Sequence, residues 1–385
     1  MQVDDWRQIT FGYSHYVQPV LVEYVFAAYN KPMSDWRSKA EISGDVCFFE
    51  YVTSEKAYQA KEVFVWDLDK TYLDTHFESV KGMYRTIVEK AFQKKNVPGT
   101  GSLVRTLTSD LDHPFPIFFI TASPPQMEEK IRQKLELDGI KPYGIFFKDN
   151  LINLRPGRLS RLTQQIGFKI QALLQLRSKL NPEVKQILWG DDSESDAIIY
   201  SLYSDICSRR LKEDDLYYVL QKLKVRGVQA SLISAIQSKL PEMDPVQRIY
   251  INLATDTDPD YYYKFGRRTL PTYNTFQVGL DLYQDGHLSS QKLCMVAEDM
   301  ITNYGFYPEE LEKSLNDLVA RKVLTEDKVG GIIPSLKKDG LLSDVFELSK
   351  KPISKENFRR TFQSNSQSDS EQWVPEFIDY INDFR

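Results

Sequence analysis

Acidic residues follow short apolar runs in this sequence, and their types and spacing suit phosphoryl transfer. VFVW (63–66) leads into Asp67-Leu68-Asp69-Lys70-Thr71, and IFFI (117–120) into Thr121-Ala122-Ser123-Pro124. GIFF (144–147) leads into Lys148-Asp149-Asn150, and QILW (186–189) into Gly190-Asp191-Asp192-Ser193-Glu194-Ser195-Asp196. If each run is a strand of one open parallel sheet, these groups share the edge where such sheets bind ligands. Carboxylates converging from two strand ends repel one another unless a hard cation lies among them, and dense oxygen ligands fit Mg²⁺. Asp67 and Asp69, two apart at a strand end, can both face one opening. One carboxylate can attack phosphorus and form an aspartyl-phosphate. The other can protonate the leaving oxygen and later activate water. Thr121 offers a hydroxyl and backbone N–H donors at the head of a helix. A lysine near the nucleophile would clamp charge, and Asp191, Asp192 and Asp196 would hold the metal.

The elements that must position these residues are legible as a pattern. Besides the four runs, RIYINLA (248–254) reads as a fifth strand. Helical patterns lie between them at 83–92, 127–137 and 169–180. Strands alternating with helices imply βαβ units, and continuous apolar strands imply a sheet buried on both faces. The expected fold class is therefore α/β, a parallel sheet flanked by helices. Residues 1–61 read as a helical N-terminal segment with a helix near 17–29. Residues 201–244 read as a helical insertion, and 301–385 as a helical C-terminal region ending in a polar linker, SNSQSDSEQ (364–372). The closing WVPEFIDYINDF has apolar residues at helical spacing, read as a terminal helix docked on its own domain or, alternatively, a partner-binding helix.

Composition removes other classes. The 385 residues are 42% hydrophobic and 27% charged with net charge −5, which excludes a disordered or fibrous chain and argues against a nucleic-acid binder. No apolar run approaches a bilayer span. MQVDDWRQIT has early acids and no apolar h-region, so no leader is expected and the reading is cytoplasmic. Cys47, Cys207 and Cys294 lack CxxC spacing and read as small buried thiols; four scattered histidines make a His-rich metal site or a Ser-His-Asp centre unfavoured.

In this order the residues resemble the haloacid-dehalogenase (HAD) superfamily of phosphotransferases. Its DxDxT motif matches Asp67, Asp69 and Thr71, and its second motif matches Thr121. Its lysine matches Lys169, 22 residues before Asp191, and its GD-plus-acid motif matches Gly190-Asp191 with Asp196. The chain is also similar to the actin-patch-type phosphatidate phosphatases and their bacterial relatives, through Pro98-Gly99, Thr121-Ala122-Ser123-Pro124 and Asp191…Asp196…Tyr200. The resemblance implies a HAD-like Rossmannoid domain over about 62–300 with little or no cap. It implies catalysis by Asp67, Asp69, Thr121 and Lys169, and Mg²⁺ on Asp67, Asp69, Asp191, Asp192 and Asp196. Thr71, Ser123 and Lys148 would lie toward substrate. The implied activity is Mg²⁺-dependent hydrolysis of a phosphomonoester, phosphatidate or another lipid phosphate at a membrane surface. The alternatives are a soluble phosphomonoester, a phosphoprotein, or a silent lipid- or partner-binding module. Two readings stay open here: Lys148 competes with Lys169 as the clamp, and DPDYYYKFGRR (258–268) either lines the rim toward an anionic head group or is a packed aromatic loop. His287 reads as a turn residue.

Overall fold

A computed structural model describes residues 36–52, 60–74, 95–109, 115–149, 161–193, 195–254, 257–348 and 372–382. The helices expected at 17–29 and 83–92 and nearly all of the 364–372 linker lie outside the described residues, as does much of the chain where a cap would be inserted. Two units divide the chain, Met1–Lys39 and Ala40–Arg385. Of the first, residues 36–39 are described, with one 3₁₀ turn over Trp36–Ser38.

The second unit is built on a sheet of β1 (Glu41–Ser43), β2 (Val46–Glu50), β3 (Glu62–Asp67), β4 (Ile117–Thr121), β5 (Gly144–Lys148), β6 (Lys185–Asp191), β7 (Val246–Asn252) and β8 (Thr269–Thr272). Their spatial order is β1-β2-β5-β4-β3-β6-β7-β8. From β5 to β8 every neighbouring pair is parallel, as the continuous apolar runs require. The chain steps outward from β3 through β4 to β5, then returns to place β6 on the other side of β3. That reversal opens a crevice beyond the carboxyl ends of β3 and β6, where Asp67 and Asp191 stand.

The helices are α1 (Thr100–Thr108), α2 (Glu128–Leu137), α3 (Arg161–Lys179), α4 (Asp196–Cys207), α5 (Glu213–Lys222), α6 (Gly227–Gln237), α7 (Thr275–Gln284), α8 (Ser290–Tyr304), α9 (Pro308–Ala320) and α10 (Glu326–Lys338). Strand alternation sends Val63 and Val65 to one face, where they share a core with α3, α4 and α6. It sends Phe64 and Trp66 to the other, where Trp66 stacks on Trp189 at 4.6 Å and Trp189 meets Tyr250 at 5.0 Å. Helix α7 lies on this second face, its Asp281 bonded to Tyr250 at 2.8 Å. The PG turn behaves as expected: Gly99 takes φ 79° and α1 begins at the next residue. A side chain there would collide with Met300 of α8, its Cβ 2.8 Å from Cγ.

Three expectations change. Residues 41–50, within the segment read as helical, form a hairpin that turns at Gly44 (φ 60°) and pairs antiparallel with β5, so the sheet is mixed. Strand β8 was not read, because Pro271 interrupts its pattern; as the edge strand it tolerates a residue without an N–H. The closing segment is docked, with Ile378 and Tyr380 buried and the Tyr380 hydroxyl donating to Asp205 at 2.5 Å, but residues 372–382 are not helical. Pro375, Ile378 and Tyr380 are buried while Trp373, Phe377 and Ile381 are exposed, so the apolar residues of this segment do not share one helical face. Cys47, Cys207 and Cys294 are buried free thiols, and burial pushes Cys207 up to about 12. No described helix is long and apolar enough to cross a membrane.

Candidate active site

The chain leaves β3 in a closed turn. Leu68 N donates to Ile120 O at 3.0 Å, Leu73 N returns to Leu68 O at 2.8 Å, and Lys70 takes the left-handed conformation (φ 60°). This fixes Asp67 and Asp69 at the carboxyl edge, both buried, with Thr71 buried in the same turn. From β4, Thr121 donates its hydroxyl to Asp69 Oδ2 at 2.8 Å and accepts the Ser123 backbone N–H at 3.0 Å.

Lys169 enters from α3 and is fully buried. Its Nζ lies 2.8 Å from Asp67 Oδ1 and 2.6 Å from Asp196 Oδ1. A buried ammonium is tolerated only where carboxylates compensate its lost hydration. Of the two lysines weighed from sequence, Lys169 makes these ion pairs. Lys148, also buried, has Nζ 5.7 Å from the Phe168 ring centre and its backbone N–H bonded to Ser123 O.

Helix α4 aims the last acid. Its N-cap, Ser195, is left-handed (φ 63°), and Asp196 occupies the first helical turn, where the helix dipole favours a carboxylate. Asp196 Oδ2 accepts the Asp191 backbone N–H at 3.1 Å. This approach needs Gly190: a Cβ there would sit 2.4 Å from Asp196 Oδ2. The Tyr200 hydroxyl donates to Trp189 O at 2.8 Å and locks α4 against β6. Burial, then the charge of Asp196, pushes the Tyr200 phenol well above its ordinary range, so the hydroxyl keeps its proton.

Asp67, Asp191 and Asp196 each offer a carboxylate oxygen within 4.8 Å of the others. Asp69 and Asp192, also expected as ligands, lie outside this trio. Asp69 is held by Thr121. Asp192 is turned to the segment after β7, its Oδ2 accepting Ala254 N–H at 2.9 Å and the Thr257 hydroxyl. Within the 258–268 segment Pro259–Phe265 is a 3₁₀ helix and not a loop, packed through buried Tyr262 and Phe265, and Arg268 is fully buried on Asp244 and Ser204. Sequence reasoning missed the dependence of Asp196 on Gly190, although GD within the motif pointed at it.

Fold and site together define an α/β domain consistent with the HAD-like Rossmannoid class. Residues 63–213 match the family model described as phosphatidate phosphatase APP1, catalytic domain, so the resemblance read from the motifs holds over that segment. The segment runs from β3 to the first residue of α5 and contains Asp67, Asp69, Thr121, Lys169, Asp191 and Asp196. It covers less than half of the chain. No curated protein and no solved structure matches the chain.

Proposed function

We propose that this chain hydrolyses a phosphomonoester through an aspartyl-phosphate, with a lipid phosphate of the phosphatidate kind as substrate and Mg²⁺ as cofactor. The observation that carries the reading is Lys169 held between Asp67 and Asp196 beside an Asp69 that is bonded to Thr121. In the first step an Asp67 oxygen attacks phosphorus, the bond to the leaving oxygen breaks, and Asp69 gives that oxygen a proton. In the second, Asp69 takes a proton from water as it attacks the phosphorus, and Asp67 and inorganic phosphate are released. Lys169 offsets charge on the nucleophile and on the transferred group. Thr121 orients Asp69, and the Ser123 hydroxyl would donate to a phosphate oxygen.

The residues fit a hard cation: three buried carboxylates, all oxygen donors, lie within 4.8 Å of one another with one ammonium paired to two of them. Asp67, Asp191 and Asp196 would hold Mg²⁺. The ion would neutralise the non-bridging oxygens of the phosphoryl group. Peripheral association with a bilayer follows from a lipid substrate.

The test is phosphate release by the full chain from phosphatidate in detergent micelles, beside soluble phosphomonoesters and phosphopeptides. Release from phosphatidate that stops with chelator and returns with Mg²⁺ is expected. Release from soluble substrates alone would transfer the substrate class, and no release from any would remove the enzymatic reading.

A further inference from the structure

We propose that the turn joining α5 to α6 docks the molecule on an anionic bilayer with its catalytic edge toward the lipid. The turn lies on that edge. Asp45, at the hairpin turn before β2, accepts Arg226 at 2.7 Å and Gln229 at 2.8 Å, and its carbonyl accepts the Asp149 N–H just beyond β5. Val46 pairs with Lys148 at the carboxyl end of β5. Gly167, two residues before Lys169, packs so closely on Gln229 and Val225 that no side chain fits there. Two strand spacings, roughly 10 Å, separate β5 from β3.

What this turn presents is cationic and apolar together. Helix α5 begins with Glu213, Asp214 and Asp215 and ends with Lys222, so its acids lie at the far end. Lys222 and Lys224 are exposed around the turn, beside Arg226, which is half-exposed and paired with Asp45. Tyr217, Tyr218 and Val228 are 47%, 52% and 78% exposed. Lys222 Nζ lies 5.2 Å from the Tyr218 ring centre, and a Cβ on Gly227 would meet the Tyr217 hydroxyl at 3.7 Å. Lysine heads with apolar stems beside amphipathic rings suit an anionic lipid interface. The basic residues after β7 differ, because Arg268 is buried in ion pairs and Arg267 donates to the Lys322 carbonyl. Lys224 is also left-handed (φ 57°), where glycine would be relaxed, so a cation stands at a position that glycine suits better.

The proposal takes its bilayer from the lipid-phosphatase reading, and its test uses a lipid outside the phosphomonoester class. Co-sedimentation of the full chain is measured with phosphatidylcholine vesicles, with and without phosphatidylserine. Binding is expected only with phosphatidylserine and should weaken with salt. Lys224→Gly should lower affinity about fivefold and Lys222→Glu with Lys224→Glu more than about thirtyfold. The glycine variant relaxes the backbone, so an unchanged or raised melting temperature separates lost docking from lost fold. Equal binding to neutral vesicles, variants that bind like the parent, or equal retention on soluble polyglutamate would each overturn the proposal. The two readings fail separately: binding without phosphate release from phosphatidate micelles removes the lipid-phosphatase reading, and release without binding removes the docking surface.

Discussion

The two edges of the same sheet each bury charge, and they bury it differently. At the carboxyl edge, Asp67, Asp191 and Asp196 crowd together, and one lysine pairs with two of them, Asp67 and Asp196. Toward the amino edge, charges are matched. Arg248 grips Asp281 with two bonds of 2.8 Å while Tyr250 donates to the same carboxylate, and His287 lies 2.7 Å from Glu62. A cavity of about 580 Å³ opens at this second edge, lined by Glu62, Arg248, Asp285, His287 and Trp373 among others. Balanced buried charge fastens elements together, whereas acids in excess of their ammonium repel one another, a repulsion that a bound cation would relieve.

The comparison breaks most visibly at Asp67. Asp67→Asn should lower turnover about 10⁴-fold or more, because an amide cannot form the acyl-phosphate. Urea unfolding should show stability retained, since one repelling charge is gone. Gly190→Ala should cost about 10²-fold in turnover by pushing Asp196 off its place, with a smaller change in stability. An alanine variant with parent turnover would detach Asp196 from the chemistry.

The matched edge should answer in stability. Asp281→Ala leaves a buried guanidinium without its carboxylate and should cost about 3–5 kcal/mol in urea unfolding. Arg248→Met with Asp281→Leu should recover most of that, and a double variant as unstable as the single would contradict a matched pair. The smallest effect is the pH response of His287. Burial alone would lower its pKa, but the bond and charge of Glu62, with Asp285 and Asp281, raise it above 6.5. Its stabilisation is then complete below the unfolded value and fades as pH rises through the folded one. Glu62 is shifted down: burial opposes this, and the bond to His287 outweighs it, so its share fades toward acid. Between pH 6 and pH 9 the parent melting temperature should fall about 2 °C further than that of His287→Gln. Parallel falls would remove the ion pair from the account.

Legibility in the sequence followed the same division. Strands β3 to β7 were readable because burial on both faces makes their apolar runs continuous, and the acids at their ends were readable because topology places them together. The β1–β2 hairpin was not read, although Ser43-Gly44-Asp45 between two short runs is a turn signal. His287 does sit in the turn after α7, its N–H bonded to Leu282 O, but its pairing with Glu62, 225 positions away, had no signal in the sequence. The pairing of Arg248 with Asp281 and the burial of Arg268 on Asp244 are likewise products of packing. Asp192 could not be told from Asp191 by spacing, since only the fold turns it toward Thr257.

The most direct test of the central claim is to trap the covalent intermediate. Asp69→Asn keeps the nucleophile but removes both the acid of the first step and the base of the second, so phosphoryl-enzyme should accumulate from an aryl phosphate, whose leaving group needs no proton. After incubation with Mg²⁺ and ³²P-labelled p-nitrophenyl phosphate and an acid quench, peptide mapping should place label on Asp67 in near-stoichiometric amount. The label should be lost at alkaline pH or with hydroxylamine, as an acyl-phosphate is, and should be absent when Asp67→Asn is added. Turnover by the parent with no label on Asp67 in any variant would contradict the mechanism.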